Sequence, residues 1–597
     1  MKKLLLLALL LNVATLPVFG QIAAWRSKVS PEILSYLDKN KKADVLVVFR
    51  EQADLSAAKN LKTKTEKARF VYNRLVETAS RSQANAVRIL KENDAFANGL
   101  YIVNAIAVKG ISQTLARQLA ELEEVKWIGA DPWVEFPGPV ETAIAPVIGR
   151  NVVEWGVEKI NAPAVWALGF TGQGITIGGA DTGYDWMHPA IQPHYRGWNN
   201  LSGTADHKYN WHDAIHDYSP LNLDSLGNPY SPNPCGFDSP QPCDDGSHGT
   251  HTMGTMTGDD GLGNQIGVAP GAQWVGCRNM ERGWGQPSSY LECFQWFLAP
   301  TDLQGENANP DMAPHVINNS WYCADIEGCT DLTINDLLRV AIVNLKASGV
   351  VVVVSNGNEG WQGCGSTFGP PAYFEESFSV GSTRFDDTIS TFSSRGPVLV
   401  DSSGRMKPNV SAPGQNVRSC TPGGNYANFS GTSMAGPHVA GLVALVLSAR
   451  PDLAGQVELI EQFIEETAVP KFGWQDCADN SGQDHPNNTY GYGRVDALAA
   501  VNLALAYNPV SAPEIPAPVV QIFPNPVVDE AIFDLQNISG KTVLEVFSAD
   551  GKLVSSKNWT AQSRELTPVS MKKHPVGIYF WQLKTENGTA SGKLVKQ

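Results

Sequence analysis

Once its first twenty residues are passed, this chain has no hydrophobic run of membrane-spanning length. A helix that crosses a bilayer takes about 20 predominantly apolar residues, so a multi-span membrane protein is excluded. Positive charge is also scarce: 45 Lys and Arg face 60 Asp and Glu, a formal net charge of -15. Nucleic-acid binding draws on clustered basic residues, so no nucleic-acid partner is expected. None of the nine Cys stands in a paired C-x-x-C spacing, which removes the zinc-ribbon kind of metal site. Charged residues are only 18% and hydrophobic ones 43%, a globular composition with room for a large core.

At 597 residues the chain is too long for one domain, and several are expected. It opens as an export signal. Lys2 and Lys3 precede LLLLALLLNVATL, and small Gly20 stands before Gln21 as the cleavage point. A retained membrane anchor is the alternative, but the run is short for one. Export favours disulfides. The cysteines are Cys235, Cys243, Cys277, Cys293, Cys323, Cys329, Cys364, Cys420 and Cys477, all in the central region. Cys235 with Cys243, and Cys323 with Cys329, are close enough to close local loops. The connectivity stays open, and an odd count leaves one thiol without a partner.

Hydrophobic periodicity divides the chain. Residues 21–136 alternate strand and helix patterns: KADVLVVF, a long polar helix over 63–93, GLYIVNAIAVKG, the helix ISQTLARQLAEL, and VKWIGADPWVEF. That order predicts a ferredoxin-like α+β unit. Residues 137–150, rich in Pro and small residues, read as a linker. Residues 151–508 carry the strand candidates ITIGGA, QWVGCRN, HVINNS, VVVVVS and SFSVGST, with helices between them. The clearest helix is DLTINDLLRVAIVNLKASG, with Asp331 as N-cap and Gly349 as stop. This is the signature of an α/β parallel sheet covered on both faces. Residues 509–520 form a Pro-rich linker. Residues 521–597 alternate around Asp550-Gly551 and Asn587-Gly588, both hairpin turn signals, and predict a small β-sandwich.

Chemistry concentrates in three small, Gly-rich blocks: ADTG at Asp181, HGTH at His248 and GTSMAGP at Ser433. An Asp, a His and a Ser are what nucleophilic acyl transfer needs. Asp181 ends a strand, Asn358 follows one, and His248 and Ser433 each open a helix pattern. A parallel sheet binds ligands beyond the carboxyl ends of its strands, so the pattern gathers these four on one edge. His207, His212 and His216 cluster in a long loop over 199–245. A zinc reading of them is weaker than that of a polar loop, and no metal site is assigned. HGTH as a metal pair is weaker still.

The three blocks resemble, nearly letter for letter, the Asp, His and Ser motifs of the subtilisin family of serine endopeptidases, over residues 150–505. The resemblance implies that Ser433 is the nucleophile, His248 the general base and Asp181 its orienter. It makes Asn358 of SNGNEG the oxyanion donor, with Asn356 as competitor. It places Asn319, Ser320, Trp321 and Tyr322, together with Asn318, along the substrate cleft. Bulk at Tyr322 argues against broad specificity, and Glu359 at the pocket rim would favour a basic or polar side chain. By the same resemblance, residues 21–136 are an inhibitory propeptide whose tail near Phe136 lies in the cleft. No cofactor is required for catalysis. A structural calcium at Asp259 and Asp260 is left open, because Gly261 stands where relatives often have a ligand. IFPNP, VFSADGKLV and the ending GIYFWQL…SGKLVKQ resemble the C-terminal sorting domain of the type IX secretion system. The whole reads as an exported zymogen, secreted or on the cell surface after passing the periplasm. It acts on proteins or peptides, is expected to be a monomer, and has its own propeptide and the type IX machinery as partners. The rival reading is a surface adhesin with an inactive protease domain.

Overall fold

The computed structural model describes residues 24–597 except 40, 137, 146–151, 323–331, 509–517, 562 and 587. The chain divides into two compact units, one reaching Ala506 and one from Tyr507 onward. The expected signal segment, Asp331 and the Pro-rich linker at 509–517 lie outside the described residues.

The first unit begins with an antiparallel sheet of β1 (Ala43–Phe49), β2 (Ala97–Leu100), β3 (Ala105–Ile111) and β4 (Val125–Ala130), in the order β2-β3-β1-β4. After a short first helix (Pro31–Leu37), its helices are α1 (Lys64–Ser82), α2 (Ala84–Glu92) and α3 (Gln113–Ala120). This is the ferredoxin-like order. Thr63 starts α1 through a reciprocal capping box with Glu66, which satisfies two end N–H groups. The single helix expected over 63–93 is two. It breaks at Gln83, whose side-chain amide reaches Asn104 (2.9 Å) and Ala105 O (3.3 Å) across the sheet. GLYIVNAIAVKG is likewise two strands, because the chain turns between Leu100 and Ala105.

Two short strands follow, β5 (Val134–Glu135) and β6 (Glu141–Ala145), and neither joins that sheet. The central sheet contains β7 (Thr176–Asp181), β8 (Trp211–Asp213), β9 (Gln273–Arg278), β11 (Val316–Asn319), β12 (Val351–Ser355), β13 (Phe378–Thr383) and β14 (Val410–Pro413). Its order is β8-β9-β7-β11-β12-β13-β14, with every pair parallel. The five expected strands lie at its centre, and the two edges were not foreseen. β10 (Trp284–Gly285) and β15 (Asn425–Ser430) stand apart from it, pairing with β5 and β6 respectively.

Helices α4 (His248–Thr257), α5 (Pro287–Leu298), α6 (Leu332–Ala347) and α7 (Thr432–Ala449) cover the sheet. One helix departs from the expected lack of a spanning run: among the described residues α7 alone has the length and hydropathy of a membrane span, and it is 94% buried in the core. Its apolar run serves packing, where a Leu→Ala change typically costs about 2–5 kcal/mol. Gly349, at φ +89°, ends α6 as expected. One hydrophobic cluster runs from Leu46 and Val48 of the ferredoxin-like sheet and Ile102 of its β2–β3 turn into Leu291 and Phe294 of α5 and Leu338 and Ile342 of α6. The N-terminal module therefore packs on the α5–α6 face of the central domain.

The second unit is all-β. One sheet joins Val519–Phe523, Glu530–Gln536 and Arg564–Ser570; the other joins Gly540–Ser548, Leu553–Ala561, Gly577–Thr585 and Gly588–Lys596. Phe533, Leu544, Val546 and Trp581 fill a common core. Asp550-Gly551 makes the expected turn, with Gly551 at φ +81°.

Candidate active site

The carboxyl ends of β7, β11 and β12 lie side by side: Asn319 pairs with Ala180 and with Val354. Asp181 is the last residue of β7 and is 1% exposed. A carboxylate in that setting needs partners. Thr182 N donates to its Oδ1 at 2.8 Å, and His248 Nδ1 lies 2.8 and 3.0 Å from its two oxygens. His248 opens α4 and is 2% exposed. Its Nδ1–H is committed to Asp181, which leaves Nε2 as the basic nitrogen; Nε2 makes no hydrogen bond among the described residues.

Asp244, which the sequence reading passed over, ties these two residues together. Its carboxylate accepts from Thr182 Oγ1 (2.8 Å), Ser247 N (2.8 Å), Thr250 N (3.0 Å) and Thr250 Oγ1 (2.6 Å). It thereby joins the end of β7 to the start of α4. Burial pushes its pKa up, and these donors work against that. The available signal was the acidic pair immediately before GSHGTH. His251, one turn along, bonds Val417 O and Ala427 O (both 3.1 Å) and stacks on Phe429. Burial pushes it down to about 3, so it stays neutral.

Ser433 is in the first turn of α7, where backbone N–H groups lack helical partners. Its Oγ donates to Ser320 O (3.1 Å), and Ser320 Oγ donates to Ser433 O (2.9 Å). Asn358 is held through its oxygen: Thr432 N and Thr432 Oγ1 both donate to Oδ1 at 2.9 Å. A methyl group placed on Gly431 would lie 3.6 Å from Ser433 N and 3.7 Å from Asn358 Nδ2, so both nitrogens lie close to Gly431. Asn356 is spent elsewhere, donating to Ser394 O (2.7 Å) and Thr367 Oγ1 (3.0 Å).

The chain itself crosses this edge. β5 pairs with β10, and Phe136 N donates to Gly283 O (2.7 Å). The Phe136 ring meets His248 edge to face at 4.6 Å. Beyond the crossing, Val140 N donates to Ser430 O (2.8 Å), and β6 pairs with β15 just ahead of Ser433. A segment of peptide is thus bound by strand addition to β10 ahead of Phe136 and to β15 after Val140.

Among the expected cleft residues, Ser320 is bonded to Ser433 and Tyr322 to Glu359. Asn319 donates to Val353 O (3.3 Å). The Trp321 ring is buried and stacked on Tyr290 at 4.0 Å, so any contact it makes with a peptide runs through its backbone. The Glu359 carboxylate accepts from Tyr322 OH, Asn358 N and Ser394 Oγ. The rim acid expected from sequence therefore has three hydrogen-bond donors of its own.

The three loop histidines do not converge. His207 bonds Tyr195 OH (3.0 Å), whereas His212 and His216 both bond Glu292, and His216 also bonds Asp238 (2.6 Å). Burial opposes charge at His216, yet these carboxylates hold it above the ordinary imidazole range. Among the described residues no group of three His, Cys, Asp or Glu is arranged to hold a metal. Asp260 accepts from Leu262 N and Asn264 N and Nδ2, and Asp259 from Gly261 N, so both shape their own turn. Cys235–Cys243 closes the expected local loop, and Cys277–Cys293 and Cys364–Cys477 add two more disulfides. Cys420 is a buried free thiol. Cys323 and Cys329 lie outside the described residues.

A parallel α/β sheet with a buried Asp–His pair and a helix-borne Ser at one carboxyl edge defines the class of serine hydrolases. The Subtilase family's sequence profile matches residues 172–493, more than half the chain, and the chain belongs to that family of serine proteases. The profile of the secretion system C-terminal sorting domain matches residues 521–597. Bacillopeptidase F of Bacillus subtilis (strain 168) is 33% identical over 504 residues, 80% of this chain and 32% of that protein. Subtilisin E of the same strain is 31% identical over 335 residues, 56% of this chain and 70% of that protein. Subtilisin of Bacillus pumilus is 31% identical over 300 residues, 50% of this chain and 86% of that protein. The chain thus spans about a third of the length of Bacillopeptidase F.

Proposed function

We propose that the chain is an exported subtilisin-like serine endopeptidase made as a self-processing zymogen. His248 Nε2 takes the proton of Ser433 Oγ as that oxygen attacks a peptide carbonyl. The tetrahedral oxyanion is held by Asn358 Nδ2 and Ser433 N, and Asp181 stabilises the imidazolium. Collapse breaks the C–N bond. His248 gives its proton to the leaving amine, and water then hydrolyses the acyl ester by the same route in reverse. The observation that carries this reading is the crossing segment: the chain lays Phe136 on His248 and pairs with β10 before it and with β15 after it.

On this reading residues 21–136 are the inhibitory propeptide, 137–150 the region processed, 151–508 the enzyme, and 521–597 the tag for type IX export from the periplasm. A fluorophosphonate probe tests the enzyme reading. Labelling should fall on Ser433 and be lost in Ser433→Ala; labelling elsewhere, or none in mature protein, would reject it.

Asn358→Ala should lower kcat by roughly 10²–10³ with KM little changed, a range known from subtilisin itself. Its amide acts on charge that develops only in the transition state. Steady-state kinetics on one peptide substrate decide this, and a raised KM with kcat intact would make Asn358 a ground-state contact. A chain ending at 508 should hydrolyse peptides normally after processing, because the second unit has its own core. In the native host it should collect in the periplasm. Fractionation that finds it in the medium at the normal level would favour a substrate-binding role for the last domain.

A further inference from the structure

β11 and β12 are neighbours, and each continues past its last paired residue toward Ser433. Ser320, Trp321 and Tyr322 extend β11; Asn356 to Glu359 extend β12. Ser433 sits between the two extensions, bonded to Ser320 O (3.1 Å), while Asn358 is bonded to Thr432 N (2.9 Å). A peptide carbonyl must approach Ser433 Oγ with its oxygen toward Asn358 Nδ2 and Ser433 N. The side chain of the residue before the scissile bond then drops into the slot between the extensions.

Side chains alternate along an extended segment. Trp321 turns away into the core, so Ser320 and Tyr322 share the face toward the slot. Tyr322 reaches across it and donates its hydroxyl to Glu359 Oε1. That carboxylate is fixed from the far side, since Asn358 N (2.9 Å) and Ser394 Oγ (3.2 Å) donate to Oε2. Behind the phenol lies Gly369, where even a Cβ would come within 2.6 Å of Tyr322 Cδ2. The ring has main chain at its back and an anchored acceptor at its tip, and the residue is only 5% exposed. Swinging it aside would leave a partly buried carboxylate short of a donor.

We infer that the Tyr322–Glu359 bar closes this slot and restricts the enzyme to peptides with a small side chain, such as Ala or Gly, immediately before the scissile bond. This rests on the proposed role of Ser433.

The test uses mature enzyme purified from the full-length precursor and a chromogenic tetrapeptide series that varies only the last residue among Gly, Ala, Phe and Lys. Active sites are titrated with a fluorophosphonate, so that only folded enzyme is counted. The wild-type enzyme should prefer Ala over Phe by at least about 10-fold in kcat/KM, the scale on which a pocket rejects added bulk. Tyr322→Gly, with Tyr322→Ala as a second variant, should raise the ratio of kcat/KM for Phe to that for Ala by about 10². Titratable wild-type enzyme that cleaves Phe as well as Ala, or titratable variants with an unchanged Ala-to-Phe ratio, would overturn the inference alone. Absence of both hydrolysis and labelling in the wild-type protein would reject the catalytic reading together with it.

Discussion

Ser433→Ala will leave the chain at precursor length and lower peptide hydrolysis by roughly 10⁶, the loss known for the nucleophile of subtilisin itself and carried here by kinship. Nothing nearby can replace the lost oxygen. Ser320 Oγ is engaged with Ser433 O, and Thr432 Oγ1 with Asn358. The oxyanion donors and the bound strands survive the change, so a residual rate of about 10³–10⁴ over water should remain. Because the crossing segment lies over the site, the same substitution should also stop removal of the N-terminal module. Mass spectrometry of purified Ser433→Ala protein decides it. Appearance of the mature size without added protease would mean that another enzyme does the processing.

Asp181→Asn should lower kcat by about 10⁴, with KM within about two-fold. The two oxygens of Asp181 make His248 Nδ1 the protonated nitrogen, which keeps Nε2 free to accept. Thr182 N donates to Oδ1 and Thr252 Oγ1 approaches Oδ2 at 3.4 Å, so the carboxylate is fixed by donors on both sides. An amide there can keep only one accepting atom. When its NH₂ faces His248, the imidazole turns to the tautomer that carries hydrogen on Nε2, which cannot take the Ser433 proton. Size should not change, so folding should be kept; a circular dichroism spectrum matching the wild type with kcat down is the expected pair of results. A kcat within ten-fold of the wild type would show that His248 is oriented by other contacts, with Asp244 and its bonds to α4 the first to examine.

Much of the site was legible because its chemistry is local. ADTG, SHGTH and GTSMAGP each combine a functional side chain with the small residues its backbone turn demands. Gly183, at φ +106°, lies against the Cys243 carbonyl, where a larger residue would collide. Strand and helix periodicity then put Asp181, His248, Ser433 and Asn358 at one edge of a parallel sheet. Asp244 escaped notice because its role is a pattern of accepted hydrogen bonds from residues on two elements, and sequence gives no distance between them. Glu359 shows the same limit. The residue type puts an acid at the rim, and only the position of Tyr322 reveals that a phenol donates to it.

Sequence alone determined the α/β class, the flanking ferredoxin-like and β-sandwich modules, the Asp–His–Ser order and the family resemblance, since each depends on period, turn chemistry or short motifs read along the chain. Tertiary structure decided which surfaces meet: that the N-terminal sheet shares a core with α5 and α6, that Phe136 comes to rest on His248, that Trp321 turns inward, and that Tyr322 and Glu359 close a slot. These contacts join residues far apart in the chain through shape and desolvation. Neither leaves a periodic trace in any one segment, and so they become visible only when the segments are packed together.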